Sequence, residues 1–187
     1  MRIIAGKLKG TKLFIPEDKK TRPLKDLTRE SIFNLLTHSK KFSLKLEHSN
    51  VLDLYAGTGS FGLESLSRQV KSVYFVENEE LAIKVLKKNI KKLKVEKNVK
   101  IFFSDIFKFI HDQNISNHKF DLIFCDPPFI NSNMKELIEL IFKKKILNKN
   151  GIIILHRNKI TKENLPDNFQ IMEERIYGIS KIIFGKF

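Results

Sequence analysis

Sulfur and long apolar runs are scarce in this chain of 187 residues. A single cysteine, Cys125, argues against a disulfide framework and a thiolate metal cluster. No segment approaches the roughly 20 uninterrupted apolar residues that a membrane-spanning helix needs. The first seven residues, Met1 to Lys7, soon turn polar and show no signal-peptide pattern. We therefore predict a cytoplasmic protein with one domain, or one domain plus a short extension.

Negative charge is also scarce. The chain has 35 Lys and Arg against 21 Asp and Glu, a formal net charge of +14. This excess favours a polyanionic partner, because basic groups neutralise phosphates and release counterions. Most of the surplus is lysine, in a chain also rich in Ile, Asn and Phe. An A+T-rich genome would give the same pattern, so both explanations remain open.

Short apolar runs alternate with helical patterns between residues 50 and 155. The predicted strands are Asn50–Leu54, Ser72–Val76, Val99–Phe103, Asp121–Cys125 and Gly151–Leu155. The predicted helices are Ser60–Arg68, Glu79–Leu93, Ile106–Asp112 and Met134–Lys145. This alternation predicts an α/β, Rossmann-like fold with a mainly parallel sheet. Two last β-rich runs, Phe169–Tyr177 and Ser180–Phe184, predict that the sheet closes with antiparallel pairing.

The N-terminal residues 1–45 are predicted to form an extension ahead of a main domain at 46–187. Arg2–Ala5 and Lys12–Ile15 flank a Gly- and Lys-containing turn and predict a small β-hairpin. An amphipathic helix follows Thr21-Arg22-Pro23. Its predicted inner face consists of Leu24, Leu27, Ser31, Ile32, Leu35 and Leu36.

The segment Asp126-Pro127-Pro128-Phe129 follows the fourth predicted strand. Its two prolines fix φ, supply no backbone N–H and bias the preceding residues towards extended geometry. The chain therefore leaves the strand with a carboxylate, rigid carbonyls and an aromatic face. This combination is typical of a site for a flat group with an amine on its edge, such as a nucleobase.

Acidic residues end or follow four successive predicted strands. They are Asp53, Glu77, Asp105 and Asp126. Ligands of open α/β sheets bind beyond the carboxyl ends of the parallel strands. We therefore expect these four carboxylates to lie at one edge of the sheet and to form a site.

The first of these strands leads into a turn that contains Gly57, Gly59 and Gly62. The spacing matches the dinucleotide fingerprint Gly-x-Gly-x-x-Gly, which lets the backbone approach a ligand at a helix N-terminus. Asp53 does not suit a pyrophosphate there, but it suits a cationic ligand such as the amino-acid end of S-adenosylmethionine. A nicotinamide oxidoreductase is further disfavoured because no hydride-transfer acid is evident.

Glu77 and Asp105 are predicted to bind the rest of such a cofactor. Glu77 follows Gly57 by about 20 residues, a spacing that lets a carboxylate accept ribose hydroxyls. Asp105 can accept from an adenine amino group, or cap a helix that starts at Ile106, and both roles can hold together. The full predicted cofactor-binding set is Asp53, Tyr55, Ala56, Gly57, Gly59, Glu77, Asn78, Asp105 and Ile106.

These motifs resemble those of class I S-adenosylmethionine-dependent methyltransferases that modify exocyclic amines. Arg2–Leu13, Thr21–Pro23, Arg29–Leu36, Leu52–Gly62 and Tyr177-Gly178 are similar to the RNA small-subunit methyltransferase D family. The resemblance spans nearly the whole chain and implies a seven-stranded class I methyltransferase fold with one antiparallel strand. It also implies a monomer that methylates guanine N2 in small-subunit (16S) rRNA, within an assembled or partly assembled particle. Leu27 departs from the family pattern, which has an arginine there.

The resemblance implies a catalytic role for Asp126, Pro127, Pro128 and Phe129. Asp126 and the Pro127 carbonyl would accept hydrogen bonds from the target amine and favour its more tetrahedral transition state. Phe129 would stack on the base and align it with the donor methyl group.

Four basic residues are candidates for substrate contact. Arg22 is either a phosphate or base contact near the active site, or a solvated arginine in a polar loop. Lys7, Lys9 and Lys12 are predicted to meet the RNA backbone, which positions a substrate rather than specifying it.

Two alternatives remain. One is a DNA adenine or cytosine amino-methyltransferase, although the chain has little room for a target-recognition domain. The other is a non-catalytic RNA-binding ribosome-assembly protein, against which the intact segment 126–129 argues.

Cysteine and histidine are not expected to take part in the chemistry. Cys125 ends a buried strand, and amine methylation needs no covalent adduct, so a packed thiol is favoured. The histidines show no metal-ligand spacing, and surface or structural roles are expected for His38, His48, His111, His118 and His156. We predict no metal.

Overall fold

The computed structural model describes residues 1–16, 24–128 and 133–187. Its strands are β1 (Asn50–Leu54), β2 (Ser72–Glu77), β3 (Val99–Phe103), β4 (Phe120–Cys125), β5 (Leu147–Asn158), β6 (Gln170–Tyr177) and β7 (Ser180–Lys186). Its α-helices are α1 (Asp26–His38), α2 (Ser60–Ser67), α3 (Glu80–Leu93), α4 (Ile106–His111) and α5 (Met134–Lys144). Two short 3₁₀ helices span Glu96–Asn98 and Gln113–Asn117.

The strands form one sheet in the order β3-β2-β1-β4-β5-β7-β6. The first five are parallel to their neighbours, while β7 is antiparallel to both β5 and β6. The predicted seven-stranded, mainly parallel α/β sheet with one antiparallel strand is confirmed. Within this sheet β5 is much longer than predicted, because it begins at Leu147 and continues past Leu155 to Asn158.

Two clusters of buried apolar side chains cover the two faces of the sheet. Successive strand residues alternate between them, so Val51 belongs to one cluster and Leu52 to the other. The first cluster includes α1, α2 and α3, and the second includes α4 and α5. Cys125 lies in the second cluster with no exposed surface, and burial raises the pKa of its thiol, as expected for a packed side chain. None of the described helices has the length and apolarity to cross a membrane.

The N-terminal hairpin is present as a tight turn rather than as two full strands. Arg2 and Lys12 form a single antiparallel bridge. The Ile3 N–H donates to the Thr11 carbonyl at 3.0 Å, and the Leu13 N–H donates to the Met1 carbonyl at 3.1 Å. Ile3 and Leu13 are buried in the first cluster, so the hairpin shares the core of the main sheet. A domain division at residues 45 and 46 stays a prediction.

Helix α1 presents a different inner face from the predicted one. Leu24, Ile32 and Leu36 are buried as predicted, but Leu27 is 70% exposed. Arg29 instead points inward and is fully buried. Its guanidinium donates to the Arg2 carbonyl at 2.6 Å and to Asp26 Oδ1 at 3.0 Å. The prediction for Leu27 is therefore wrong, because a charged side chain with distant partners occupies the inner face.

The most important of those partners is Glu64 on α2, which is also fully buried. Its carboxylate accepts from the Ile4 N–H at 2.7 Å and from the Ala5 N–H at 3.0 Å. Glu64 also pairs with Arg68 at 3.0 Å and with Arg29 at 3.7 Å. The chain start and α1 are thus both attached to α2 through one buried carboxylate, which we call the Glu64 clamp.

Removal of the charge in the Glu64 clamp should destabilise the protein strongly. We expect Glu64→Gln to lower the free energy of unfolding by about 3–5 kcal/mol, because it leaves Arg29 as a buried charge without its main partner. Glu80→Gln is the matched control, since Glu80 forms an exposed pair with Lys84 at 2.7 Å and should contribute only marginally. Denaturant titrations that gave the two variants equal stability would contradict the role of the clamp.

Candidate active site

The carboxyl ends of β1, β2, β3 and β4 lie along one edge of the sheet, which we call the rim. The four strands are parallel, with Leu54 opposite both Val76 and Cys125, and Glu77 opposite Phe103. The structure therefore brings the four predicted carboxylates, Asp53, Glu77, Asp105 and Asp126, to a shared rim.

Asp53 is the most deeply buried of the four, with 1% of its surface exposed. Its Oδ2 accepts from the Gly62 N–H at 2.9 Å. Burial raises the pKa of Asp53 well above its ordinary value; the Gly62 bond opposes this, and the charges of Asp126 and Glu77 add to it. No cation among the described residues pairs with this carboxylate. The position therefore suits a ligand that brings its own positive charge.

The turn after β1 has a backbone that glycine makes possible. Gly57 and Gly59 have φ values of +55° and +83°, and the non-glycine Tyr55 has a φ of +59°. A Cβ on Gly59 would lie 2.4 Å from Leu86 Cδ1, so no larger residue fits without a shift. Strained backbone of this kind is concentrated at ligand-binding sites. The adjoining Ala56 is buried, and its N–H donates to the Val76 carbonyl at 3.1 Å.

Glu77 is fixed at the end of β2 by backbone N–H groups. Its Oε2 accepts from Gly57 at 2.7 Å, and its Oε1 accepts from Asn78 at 2.8 Å and from Glu79 at 2.9 Å. A carboxylate has about four acceptor positions. Counted over the described residues, three are used, so contact with both ribose hydroxyls would require one backbone bond to yield.

Asp105 caps α4, as one of its two interpretations predicted. Its Oδ1 accepts from the Phe107 N–H at 3.0 Å and from the Lys108 N–H at 3.1 Å. The next residue, Ile106, is buried. A contact between Asp105 and adenine stays a prediction. Sequence reasoning did not single out Phe103, which ends β3 nearby with 65% of its surface exposed.

The acceptor segment follows β4. The Asp126 side chain is 22% exposed, Pro127 is buried and Pro128 is exposed. Phe129 lies outside the described residues, as does Arg22, so their predicted roles stay predictions. Asp126 is therefore a partly accessible carboxylate beside the buried Asp53.

A histidine that the sequence interpretation assigned to a surface or structural role lies at this segment. His156 Nδ1 is 2.7 Å from Asp126 Oδ1, and its Nε2 is 2.8 Å from Ser180 Oγ. The signal was available, since His156 directly follows the predicted fifth strand, at the same position where the acids follow theirs. It was missed because the histidines were judged by metal-ligand spacing and not by their position relative to the strand ends.

The three predicted RNA-contacting lysines, Lys7, Lys9 and Lys12, are all exposed on the N-terminal turn. Their exposure is what contact with a phosphate backbone requires. Within residues 1–16, 24–128 and 133–187, no group of three His, Cys, Asp or Glu side chains is arranged to hold a metal ion.

The sheet order, the strained glycine turn and the carboxylate rim define a Rossmann-like class I methyltransferase fold. Solved structures agree with this class. The structure described as the putative methyltransferase yhhF from Escherichia coli has a TM-score of 0.84 and 27% identity, covering 99% of this chain and 96% of that one. A putative methylase from Haemophilus influenzae has a TM-score of 0.76 and 31% identity, covering 98% and 96%.

Sequence comparison then identifies the family. Ribosomal RNA small subunit methyltransferase D from Haemophilus influenzae is 32% identical over 180 residues, covering 96% of this chain and 90% of the relative. A putative rRNA methyltransferase, YlbH, from Bacillus subtilis is 29% identical over 187 residues, covering 100% and 98%. The chain belongs to the ribosomal RNA small subunit methyltransferase D family, and the family model described as conserved hypothetical protein 95 matches residues 1–186.

The burial of Asp53 predicts that cofactor binding is linked to pH. Because its pKa is raised, Asp53 stays protonated in the free protein above the ordinary carboxyl range. A cationic ligand favours the ionised form, so S-adenosylmethionine should bind more tightly as pH rises through this raised pKa, with release of a proton. Calorimetry at a series of pH values above the ordinary carboxyl range, in buffers of different ionisation enthalpy, measures that proton. Asp53→Asn controls for titration of the ligand itself, and an equal proton release in both proteins would contradict the assignment.

Proposed function

We propose that this protein transfers a methyl group from S-adenosylmethionine to the exocyclic N2 of a guanine in small-subunit rRNA. The observation that carries the proposal is the pairing of two unlike carboxylates at the rim. Asp53 is buried, and no cation among the described residues pairs with it, whereas the Asp126 side chain is partly accessible. Asp53 suits the cationic methyl donor, and Asp126 suits a neutral amine that must be oriented.

The donor side of the rim fits S-adenosylmethionine, the cofactor of this class of enzyme. Asp53 would balance the ammonium group of the amino-acid end, and the turn at Gly57 and Gly59 would let the backbone lie close to it. Glu77, held by its three N–H donors, would accept from the ribose. Asp105, Ile106 and the exposed ring of Phe103 would border the adenine. The predicted cofactor-binding residues are completed by Tyr55, Ala56 and Asn78, which lie in the same turns.

The acceptor side has to overcome the poor nucleophilicity of an exocyclic amine. The lone pair of guanine N2 is delocalised into the ring, so the nitrogen must become more tetrahedral to attack. Asp126 and the Pro127 carbonyl would accept hydrogen bonds from its two N–H groups and favour that geometry. Phe129 would stack on the base, which must first leave any helix at a cost of a few kcal/mol.

The cofactor supplies an electrophilic methyl group on a sulfonium. In a single displacement, guanine N2 held by Asp126 and the Pro127 carbonyl would form an N–C bond as the C–S bond breaks, with S-adenosylhomocysteine as the leaving group. The methylated amine would then lose to solvent water one of the protons that face Asp126 and the Pro127 carbonyl. No covalent enzyme intermediate is required, which agrees with the buried Cys125.

An rRNA substrate is supported by the relatives, several of which are named as rRNA methyltransferases. The net charge of +14 and the exposed Lys7, Lys9 and Lys12 also favour a polyanion. We propose further that the substrate is an assembled or partly assembled ribosomal particle, and that the enzyme acts as a monomer in the cytoplasm, where that particle forms.

The test is incubation of the protein with labelled methyl donor and small subunits from a strain that lacks this methylation. Nucleoside analysis should find the label in N2-methylguanosine. Asp126→Asn should reduce the rate by at least about a hundredfold while the donor affinity changes little, because it removes an acceptor that acts on the transition state. Asp112→Asn is the matched control, since Asp112 caps the 3₁₀ helix Gln113–Asn117 away from the rim.

Label in a methylated adenine or cytosine, or an equal rate with Asp126→Asn, would contradict the proposal. Parallel reactions with naked rRNA and with DNA decide between the substrates. An RNA affinity that is insensitive to salt would contradict the electrostatic part of the proposal.

A further inference from the structure

His156 connects the acceptor carboxylate to the far half of the sheet. The residue lies on β5 with 7% of its surface exposed. One ring nitrogen, Nδ1, contacts Asp126 Oδ1 at 2.7 Å, and the other, Nε2, contacts Ser180 Oγ at 2.8 Å. Three elements therefore meet at one imidazole: the end of β4, β5 and the start of β7.

The chemistry of the two partners determines which nitrogen donates. An ionised carboxylate can only accept a hydrogen bond. The Nδ1 atom therefore has to carry a proton and donate a hydrogen bond to Asp126. A hydroxyl both donates and accepts, so Ser180 fits Nε2 whether the ring is neutral or protonated. The ring orientation is thus the same in both states. His156 engages Asp126 through Oδ1, so a ligand that binds the same carboxylate is expected at Oδ2.

The surroundings keep this arrangement rigid. His156 pairs with Ile182 of β7 in the antiparallel ladder, and its neighbours along the same face of β5 and β7, Ile154 and Phe184, are fully buried. The nearest cations along the chain are engaged elsewhere: Arg157 pairs with Glu163, and the Lys181 ammonium donates to the Thr161 carbonyl. The other acid at this point of the rim is Asp53 on β1.

We propose that His156 is a positioning residue for the methyl transfer. It holds Asp126 Oδ1, with Ser180 fixing the ring from behind, so that Oδ2 is presented to the amine of the target base. This role rests on the proposed function of Asp126. Loss of the contact would let the carboxylate rotate, and misplacement of a reacting group costs about tenfold to a hundredfold in rate. The loss should appear in kcat, while the KM values for donor and RNA stay near those of the wild type.

A pair of substitutions separates the two ring nitrogens. The amide of Asn in His156→Asn lies close to the position of Nδ1 and can still donate to Asp126. The longer Gln in His156→Gln places its amide near Nε2, towards Ser180. We expect His156→Asn to keep kcat within about threefold, and His156→Gln to lose about tenfold to a hundredfold. Ser180→Ala, which removes only the support behind the ring, should give a smaller loss in kcat.

His118→Gln is the control, because His118 precedes β4 at the opposite end of the strand from Asp126 and contacts Tyr74 at 3.5 Å. Thermal unfolding of each variant shows whether a loss of rate follows a loss of fold. Equal kcat values for the wild type, His156→Asn and His156→Gln would overturn the proposal. So would equal losses in the two variants without unfolding.

A measurement without turnover keeps this inference separate from the proposed function. Imidazole ¹⁵N resonances of the free wild-type protein should show a proton on Nδ1 that is protected from exchange, and Asp126→Ala should abolish that protection. A ring protonated only on Nε2, or one that is indifferent to Asp126→Ala, would overturn the role of His156. A wild-type protein that methylates no guanine, but shows the protected proton, would contradict the function and not the contact.

Discussion

The parallel pairing of β1 with β4 is the constraint on which the candidate site depends. Its register places Asp53 opposite Phe124. Residues two positions apart on a strand share a face, so Asp126 follows Phe124 to the same side of the sheet as Asp53. Two carboxylates therefore meet at the rim, where burial raises the pKa of the inner one. The sheet cannot form in this register without bringing a buried and a partly exposed carboxylate close together.

Helix α2 connects this rim to the N-terminal extension. The helix begins directly after Gly59 in the strained turn, and its Glu64 clamp holds Ile4, Ala5 and Arg29. A second tie comes from the buried Asn89 on α3, whose side chain bonds both the N–H and the carbonyl of Phe14 and also the Thr58 carbonyl. The backbone of the N-terminal segment that carries Lys7, Lys9 and Lys12 is thus tied to the helices that flank the turn at Gly57 and Gly59. In the proposed function, this arrangement would place a bound RNA at a defined distance from the site of methyl transfer.

Much of the rim could be predicted from the sequence, because parallel topology alone brings the strand ends together. Asp53, Glu77 and Asp126 each follow an apolar run, and no tertiary information is needed to place them at one edge. The burial of Arg29, in place of Leu27, on the inner face of α1 could not be predicted in this way. Helical periodicity places Leu27 inward, but the partner that draws Arg29 inside, Glu64, is distant in sequence and invisible to a local pattern.

The contact at His156 shows a different limit. His156 lies on β5, which continues past its apolar residues to Asn158 because it pairs with β7 there. The apolar pattern stops at Leu155 because the next two side chains are polar and have polar partners: His156 contacts Asp126 and Ser180, and Arg157 pairs with Glu163. Sequence patterns that define a strand by its apolar residues therefore end too early at functional edges.

In the proposed reaction, Asp126 binds the amine of a guanine through one oxygen while His156 holds the other. A crystal structure with S-adenosylhomocysteine and a guanine-containing oligonucleotide would measure both contacts at once. We expect guanine N2 within about 3 Å of Asp126 Oδ2, with Oδ1 still bonded to His156 Nδ1. A base that is bound with N2 directed away from Asp126, or a carboxylate that has left His156 to bind the base, would contradict it.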